Sequence, residues 1–115
     1  MKVLKNAIEL NSQVKIYVPS TVDVDIVADT KKWIDDSLTL LSKCFGGSTA
    51  TNALGAWITA TGKLVKEDVV ICFSYAKEAD LEASINEIYG FCLRMKLELK
   101  QEMIALEVNG RLYLI

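Results

Sequence analysis

The sequence predicts an α+β fold of the ferredoxin-like kind: a split β-α-β sandwich with an antiparallel sheet, two amphipathic helices and extra N- and C-terminal strands. Three observations lead there. First, the same grammar of strands, helix, strands occurs in both halves: Ala7 to Val18, Thr30 to Phe45, Ala53 to Tyr75, Ala79 to Lys96 and Gln101 to Ile115. Second, both helical stretches carry apolar residues on one stripe. Third, the last strand-rich stretch contains Asn109-Gly110, the strongest short-range signal for a type I′ hairpin turn, because both central residues must take positive φ.

In chain order, Ala7 to Leu10 and Val14 to Val18 read as a first hairpin joined by Asn11-Ser12-Gln13. A three-residue loop sets Leu10 against Val14 and Ile8 against Ile16, apolar on apolar. Pro19 ends the second of these strands because it has no N–H to continue a ladder. Asp29 or Thr30 is the expected N-cap of the first helix. Trp33, Ile34, Leu38, Leu41 and Phe45 form its apolar stripe, with Lys31, Lys32, Asp35 and Asp36 largely off it. Gly46-Gly47 stops the helix by supplying a left-handed C-cap.

Val69 to Phe73 is apolar at five successive positions, which predicts an interior strand covered on both faces. Its partner contains Gly55 to Ile58, reached through a turn near Thr61-Gly62-Lys63. The second helix follows the 3.6-residue period through Leu81, Ile85, Ile88, Tyr89, Cys92 and Leu93, and Glu78, Asp80 and Glu82 suit its positive end. The Asn109-Gly110 turn sets Val108 opposite Arg111, Leu106 opposite Tyr113 and Ile104 opposite Ile115. One face of that hairpin then holds Ile104, Leu106, Val108, Tyr113 and Ile115; the other holds Met103, Ala105, Leu112 and Leu114. Two helices cover one side of a sheet, so the second apolar face calls for a partner. A homodimer or higher even oligomer is expected, with Met103, Leu112 and Leu114 at its interface.

Length and composition bound the function. With 115 residues, 51% hydrophobic and a single proline, residues 1–115 are expected to form one ordered domain. The net charge of −2 and the presence of only two arginines, Arg94 and Arg111, argue against nucleic acid. No stretch resembles a signal peptide or a membrane span, so a cytoplasmic setting is expected. Cys44, Cys72 and Cys92 are odd in number and lie among apolar neighbours, which suits reduced, buried thiols. The sequence contains no histidine; this excludes a Ser-His-Asp triad, a Cys-His pair and a histidine-ligated zinc. Asp23, Asp25 and Asp29 lack the glycine and terminal glutamate of a calcium loop and read as helix-entry acids. No metal and no cofactor are expected.

What remains is Glu67, Glu102, Gln101 and Trp57. General acid–base work needs carboxylates that converge in a cleft, which linear order does not reveal, so Glu67 and Glu102 read first as solvated groups at strand ends. Trp57, between Gly55-Ala56 and Ile58-Thr59, reads as a core or interface aromatic, with stacking on a ligand as its functional alternative. Together, Gly55-x-Trp57, Gly62-x-Leu64-Val65-x-Glu67, a helix with Tyr89, and Gln101-Glu102 opening an apolar strand resemble an uncharacterised bacterial family of small α+β domains of unknown function. The segments Ile16 to Thr21 and Phe45 to Gly47 are similar to those of reading frames on phages and mobile elements. The resemblance implies an accessory, counter-defence setting. The sequence departs from that family where Pro19-Ser20-Thr21 stands in place of a glycine- and arginine-containing turn.

The leading expectation is therefore a non-enzymatic oligomer that acts by binding, in a phage setting by inhibiting a host or defence protein. The alternative is a domain that captures a small molecule, such as a nucleotide signal. A slow enzyme using Glu67 or Glu102 comes third. For binding, the candidate residues are Trp57, Glu67, Gln101 and Glu102.

Overall fold

The computed structural model describes residues 1–22, 26–27 and 30–115; Asp23, Asp25 and Asp29 lie outside them. After a 3-10 turn at Lys2–Asn6 come β1 (Ser12–Pro19), β2 (Thr21–Val22), β3 (Ile26–Val27), α1 (Lys31–Phe45), β4 (Thr49–Ile58), β5 (Leu64–Ala76), α2 (Glu78–Glu98), β6 (Ala105–Val108) and β7 (Arg111–Leu114). The main sheet has the order β4-β5-β1-β6-β7, and every neighbouring pair is antiparallel. β5 lies between β1 and β4, and β1 lies between β5 and β6. Each helix thus bridges two like-directed strands with a third inserted between them, as the element order predicts. β2 and β3 form a separate two-stranded ladder.

The first predicted hairpin does not form. Residues Ala7 to Leu10 are outside any strand, and everything from Met1 to Asn11 is exposed. The reason lies in β1, both of whose edges are taken by distant partners. Val14 pairs with Ser74 on one side and Val108 on the other, and Ile16 with Cys72 and Leu106. No free edge remains for the local hairpin.

The helix-facing side chains of these strands make the core. Val14, Ile16 and Val18 of β1, Cys72 and Ala76 of β5 and Leu106 of β6 are buried against Trp33 and Leu41 of α1 and Leu81, Ile88, Phe91, Cys92 and Met95 of α2. Trp33 and Phe91 meet ring to ring at 5.4 Å, joining the two helices. Ser37 is fully buried within α1, and its hydroxyl donates to the Trp33 carbonyl at 2.6 Å, which satisfies a polar group that would otherwise be costly to bury. Thr30 occupies the N-cap without a side-chain capping bond, and Gly46 supplies the C-cap at φ +91° with its N–H on the Ser42 carbonyl. In α2 the buried stripe includes Phe91 and Met95 in place of the expected Tyr89 and Leu93, leaving Tyr89 at the helix edge and half exposed.

The C-terminal hairpin has the predicted register: Leu106 opposes Tyr113, Val108 opposes Arg111, and Ile104 and Ile115 exchange both backbone hydrogen bonds at 2.9 Å. Asn109 and Gly110 take φ of +51° and +78°. The turn is also tied to β1, because the Asn109 side-chain carbonyl accepts from the Gln13 N–H at 2.8 Å while its own N–H donates to the Gln13 carbonyl at 2.9 Å.

β5 is interior in the sheet, but among the described residues its expected cover is present on one face only. Cys72 is closed off beneath the helices, whereas Val69, Ile71 and Phe73 are only partly buried. Both helices pack on one side, and the opposite side of the sheet is open.

All three cysteines are free; Cys72 and Cys92 are buried and Cys44 is partly so. Burial pushes the Cys72 thiol from 9.0 up to about 11 and the Cys92 thiol up to about 12. In the unfolded chain both ionise near their ordinary value, so from about pH 9 upward the unfolded state binds fewer protons and the fold loses stability. Urea midpoints should accordingly fall as pH rises through this range, with a smaller fall in a Cys72→Ala/Cys92→Ala variant. Thiol labelling at neutral pH should modify Cys44 and reach the other two only on unfolding. A pH dependence identical in both proteins would contradict this.

Candidate functional site

Alternation along the strands decides what faces the open side. Lys15, Tyr17 and Pro19 of β1 point there, with Gly55 and Trp57 of β4 and Val65, Glu67 and Val69 of β5. Pairing sets Gly55 opposite Glu67 and Trp57 opposite Val65, and Pro19 opposite Val69. The segment that leads into β6 brings Gln101 and Met103 across. Together these residues line a concavity of about 240 Å³ whose wall includes Tyr17, Pro19, Gly55, Trp57, Glu67, Gln101 and Met103.

Three of the four binding residues read from the sequence therefore converge: Trp57, Glu67 and Gln101. Glu102 does not line the concavity and is exposed, at a bend in the segment that precedes β6. Trp57 is 42% exposed in the single chain, which corrects the core half of its core-or-interface reading. Met103, Leu112 and Leu114, expected from the sequence at an oligomer interface, are 57%, 57% and 60% exposed in the single chain. Pairing places Leu112 opposite Glu107 and Leu114 opposite Ala105, on the same open side.

Tyr17 and Gly55 complete the site. A Cβ on Gly55 would stand 3.6 Å from the Glu67 carbonyl oxygen, in ordinary contact, so the missing side chain leaves floor space beside Glu67 and no backbone strain requires glycine there. The Tyr17 hydroxyl donates to Glu107 Oε1 at 3.1 Å, and Glu107 Oε2 is 3.4 Å from Lys15 Nζ. Burial first, then the hydrogen bond to Glu107 and its charge, raise the Tyr17 pKa above the ordinary phenol value, so the ring presents a neutral hydroxyl held in one direction. Alternation of Lys15, Tyr17 and Pro19 was the sequence signal for Tyr17. The Gly55-x-Trp57 spacing, two residues apart on one strand face, was the signal for Gly55.

The site supplies an aromatic face, a carboxylate, an amide and a fixed phenol, and its rim is apolar. Another recess, of about 360 Å³ at Val18, Ser20, Thr30, Asn52 and Asp68, has, among the described residues, one carboxylate and no aromatic ring. Among the described residues no group of His, Cys, Asp and Glu is arranged to hold a metal ion, and no helix is long and apolar enough to cross a membrane.

The fold belongs to a class already represented among enzymes. No protein-family model matches the chain, and no curated protein matches it. Two solved structures do. A phage SAM lyase in complex with S-methyl-5'-thioadenosine is similar with a TM-score of 0.62 at 16% identity, over 90% of this chain and 88% of that one. A phage SAM lyase in the apo state is similar with a TM-score of 0.59 at 15% identity, over 91% and 88%. At such identity the likeness is one of fold. It overturns the expectation of a non-enzymatic protein that inhibits a host or defence protein, which rested on the lack of any reactive constellation legible in linear order and on the resemblance to phage reading frames: the same architecture serves a lyase.

Replacing Glu107 with Gln should lower the Tyr17 pKa while leaving it above the ordinary value, since burial persists. Alkaline absorbance titration, with Tyr17→Phe to identify the signal, measures this. An unchanged titration would show that Glu107 does not hold the phenol.

Proposed function

We propose that the chain cleaves S-adenosylmethionine as a lyase, at the concavity formed by Tyr17, Trp57, Glu67 and Gln101. The observation that carries this reading is the convergence of those side chains on the open sheet face of a fold like that of a SAM lyase bound to S-methyl-5'-thioadenosine. A sulfonium is a compact cation, and an aromatic face beside a carboxylate is the arrangement that recognises one. Trp57 also offers a plane on which adenine stacks, and Gln101 an amide for a heteroatom at the ring edge.

The chemistry suits a chain without histidine. When the bond between sulfur and the four-carbon fragment breaks, its electron pair stays on sulfur, which leaves as a neutral thioether and needs no proton from a general acid. The fragment completes its valence within itself: its own carboxylate oxygen forms a C–O bond to the carbon as the C–S bond breaks, the carboxylate's negative charge and the sulfonium's positive charge cancel, and no water is consumed. Positive charge moves from sulfur toward the departing carbon. Glu67 stabilises that charge, an interaction that strengthens when the site is closed to water.

At about 240 Å³ the concavity is smaller and more open than the roughly 300–1,000 Å³ sites that enclose drug-sized ligands. It opens on the face where Met103, Leu112 and Leu114 await cover. We propose that a second copy, in a homodimer or higher even oligomer, closes it. A cytoplasmic, phage or mobile-element setting agrees with this reading, and the counter-defence role implied by the sequence resemblance would act there through removal of a methyl donor.

Purified protein incubated with S-adenosylmethionine should release S-methyl-5'-thioadenosine, detected by chromatography and mass spectrometry. Glu67→Gln should slow release by about 10²-fold or more, and Gly55→Leu, which fills the floor, should abolish binding with the circular-dichroism spectrum unchanged. Intact substrate and no calorimetric binding would overturn the proposal; binding without cleavage would reduce it to capture.

Light scattering at micromolar concentration should show the oligomer, and Leu114→Glu should split it and lose turnover together. A fully active monomer would remove the second copy from the site.

A further inference from the structure

We infer that the outer edge of β4 pairs with the same edge of a second copy of this chain, antiparallel about a two-fold axis at Leu54, so that two sheets become one. The inference goes beyond the lyase reading and does not depend on it. β4 and β7 are opposite borders of the sheet, so pairing at β4 is compatible with cover of Met103, Leu112 and Leu114, and the two contacts together give a higher even oligomer.

β5 pairs with one side of β4, and among the described residues nothing pairs with the other. Backbone geometry fixes which groups are left. The Thr59 N–H donates to the Lys63 carbonyl at 2.9 Å, which makes them a hydrogen-bonded pair, and in an antiparallel ladder such pairs recur at every second residue. Thr51, Ala53, Gly55 and Trp57 therefore bond to β5, while Ala50, Asn52, Leu54, Ala56 and Ile58 turn N–H and C=O outward. The far side of β5 gives the same phase. The Asn109 N–H on the Gln13 carbonyl directs the odd-numbered residues of β1 to β6 and its even-numbered ones to β5, which leaves the odd-numbered residues of β5 for β4.

A long free edge is ordinarily guarded by charge, proline or a bulge. β4 has none of these: Thr49–Ile58 carries no charged residue and no proline, and its register with β5 runs unbroken from Thr49 opposite Phe73 to Ile58 opposite Leu64. All its residues but Ala53 and Gly55 are exposed. Such a row of outward donors and acceptors is matched by another strand and by little else.

The strand that fits is β4 itself. The other free edge, β7, is four residues long and begins with Arg111, and the N-terminal segment carries Lys2, Lys5 and Glu9. Two-fold pairing of β4 opposes outward group to outward group and sets Leu54 on Leu54, Asn52 on Ala56 and Ala50 on Ile58. An axis at Ala53 would keep the backbone phase but set Leu54 against Asn52. Antiparallel order also matches cover with the lack of it. The start of β4 is held against α1, because the Ser48 hydroxyl donates to the Leu38 carbonyl at 3.0 Å. The far end has no such cover, and Leu54 and Ile58, on the helix side, are 61% and 69% exposed. Pairing lays that end beside Ala50 of the second copy, where the second copy's α1 lies. On the open face it sets Thr51 of the second copy opposite Trp57, a β-branched residue against the ring, which braces the aromatic wall of the concavity.

A Leu114→Glu background, which opposes contact through the open sheet face, isolates the edge. Sedimentation should show the Leu114→Glu chain as a dimer. Adding Leu54→Lys, or Leu54→Glu, should weaken that self-association about ten-fold or more, because each sets two like charges across the axis. An equal mixture of the two variants should recover it as a heterodimer. Leu54 is exposed, so neither change enters the core, and circular dichroism checks the fold. Leu54→Cys in a Cys44→Ser background should oxidise to a symmetric linked dimer. A monomeric Leu114→Glu chain, association unaffected by the Leu54 charges, or no recovery on mixing would overturn the inference. Assemblies that lengthen with concentration, in which Leu54→Cys links to Leu112→Cys, would assign β4 to the β7 edge of the next copy and overturn it as well.

Discussion

Strand β1 is the element on which the other parts depend. Its helix-facing residues Val14, Ile16 and Val18 are closed to water, and its outward residues Lys15 and Tyr17 engage Glu107. Its two edges hold β5 and β6. A strand used on both edges and both faces excludes any local partner, and this keeps Met1 to Asn11 out of the sheet. It also fixes the distance between the β4–β5 hairpin, which carries Trp57 and Glu67, and the segment with Gln101 and Met103, since β1 is the spacer between them. The concavity is therefore a property of sheet order more than of any loop.

Much of this was legible in the residues. Helix α1 begins and ends where Thr30 and Gly46 indicate, and the Asn109-Gly110 hairpin has the register that its turn type demands. These features depend on local stereochemistry, which a short window contains. Ala7 to Leu10 failed for the complementary reason: alternation of Ile8 and Leu10 satisfies a strand's local requirement, but a strand needs an edge, and the edges of β1 are taken by partners fifty to ninety-four residues away. The stripe of α2 was misplaced by a fraction of a turn because Tyr89 and Phe91 are both aromatic, and only the ring of Trp33 selects Phe91.

The site was legible as a set of residues but not as a chemistry. Trp57, Glu67 and Gln101 were singled out separately; pairing of β4 with β5 places the first two on one face, the segment entering β6 brings the third, and Glu102, one residue beyond Gln101, lies at a bend outside the concavity. Tyr17 and Gly55 escaped notice because one read as ordinary strand content and the other as a small neighbour of tryptophan. A sulfonium substrate asks for a ring, a carboxylate and exclusion of water, none of which requires histidine, so absence of the commonest acid–base group says little about a reaction whose leaving group departs neutral.

The clamp between Gln13 and Asn109 has a bearing on how the chain reaches its fold. Backbone and side-chain bonds of 2.8–2.9 Å join positions ninety-six residues apart, and β1 gains its two neighbours only from residues 64–108. During synthesis the first strand gains one neighbour only after residue 76 and the other only after residue 108 has emerged. Loop-closure entropy has to be met before its contacts stabilise anything, which makes folding slow relative to helical proteins of this size. The early, locally ordered unit is the β4–β5 hairpin, whose ten paired positions close over a short turn. The hairpin that presents Trp57 and Glu67 is then the seed on which the central strand, and with it the sheet, is later assembled.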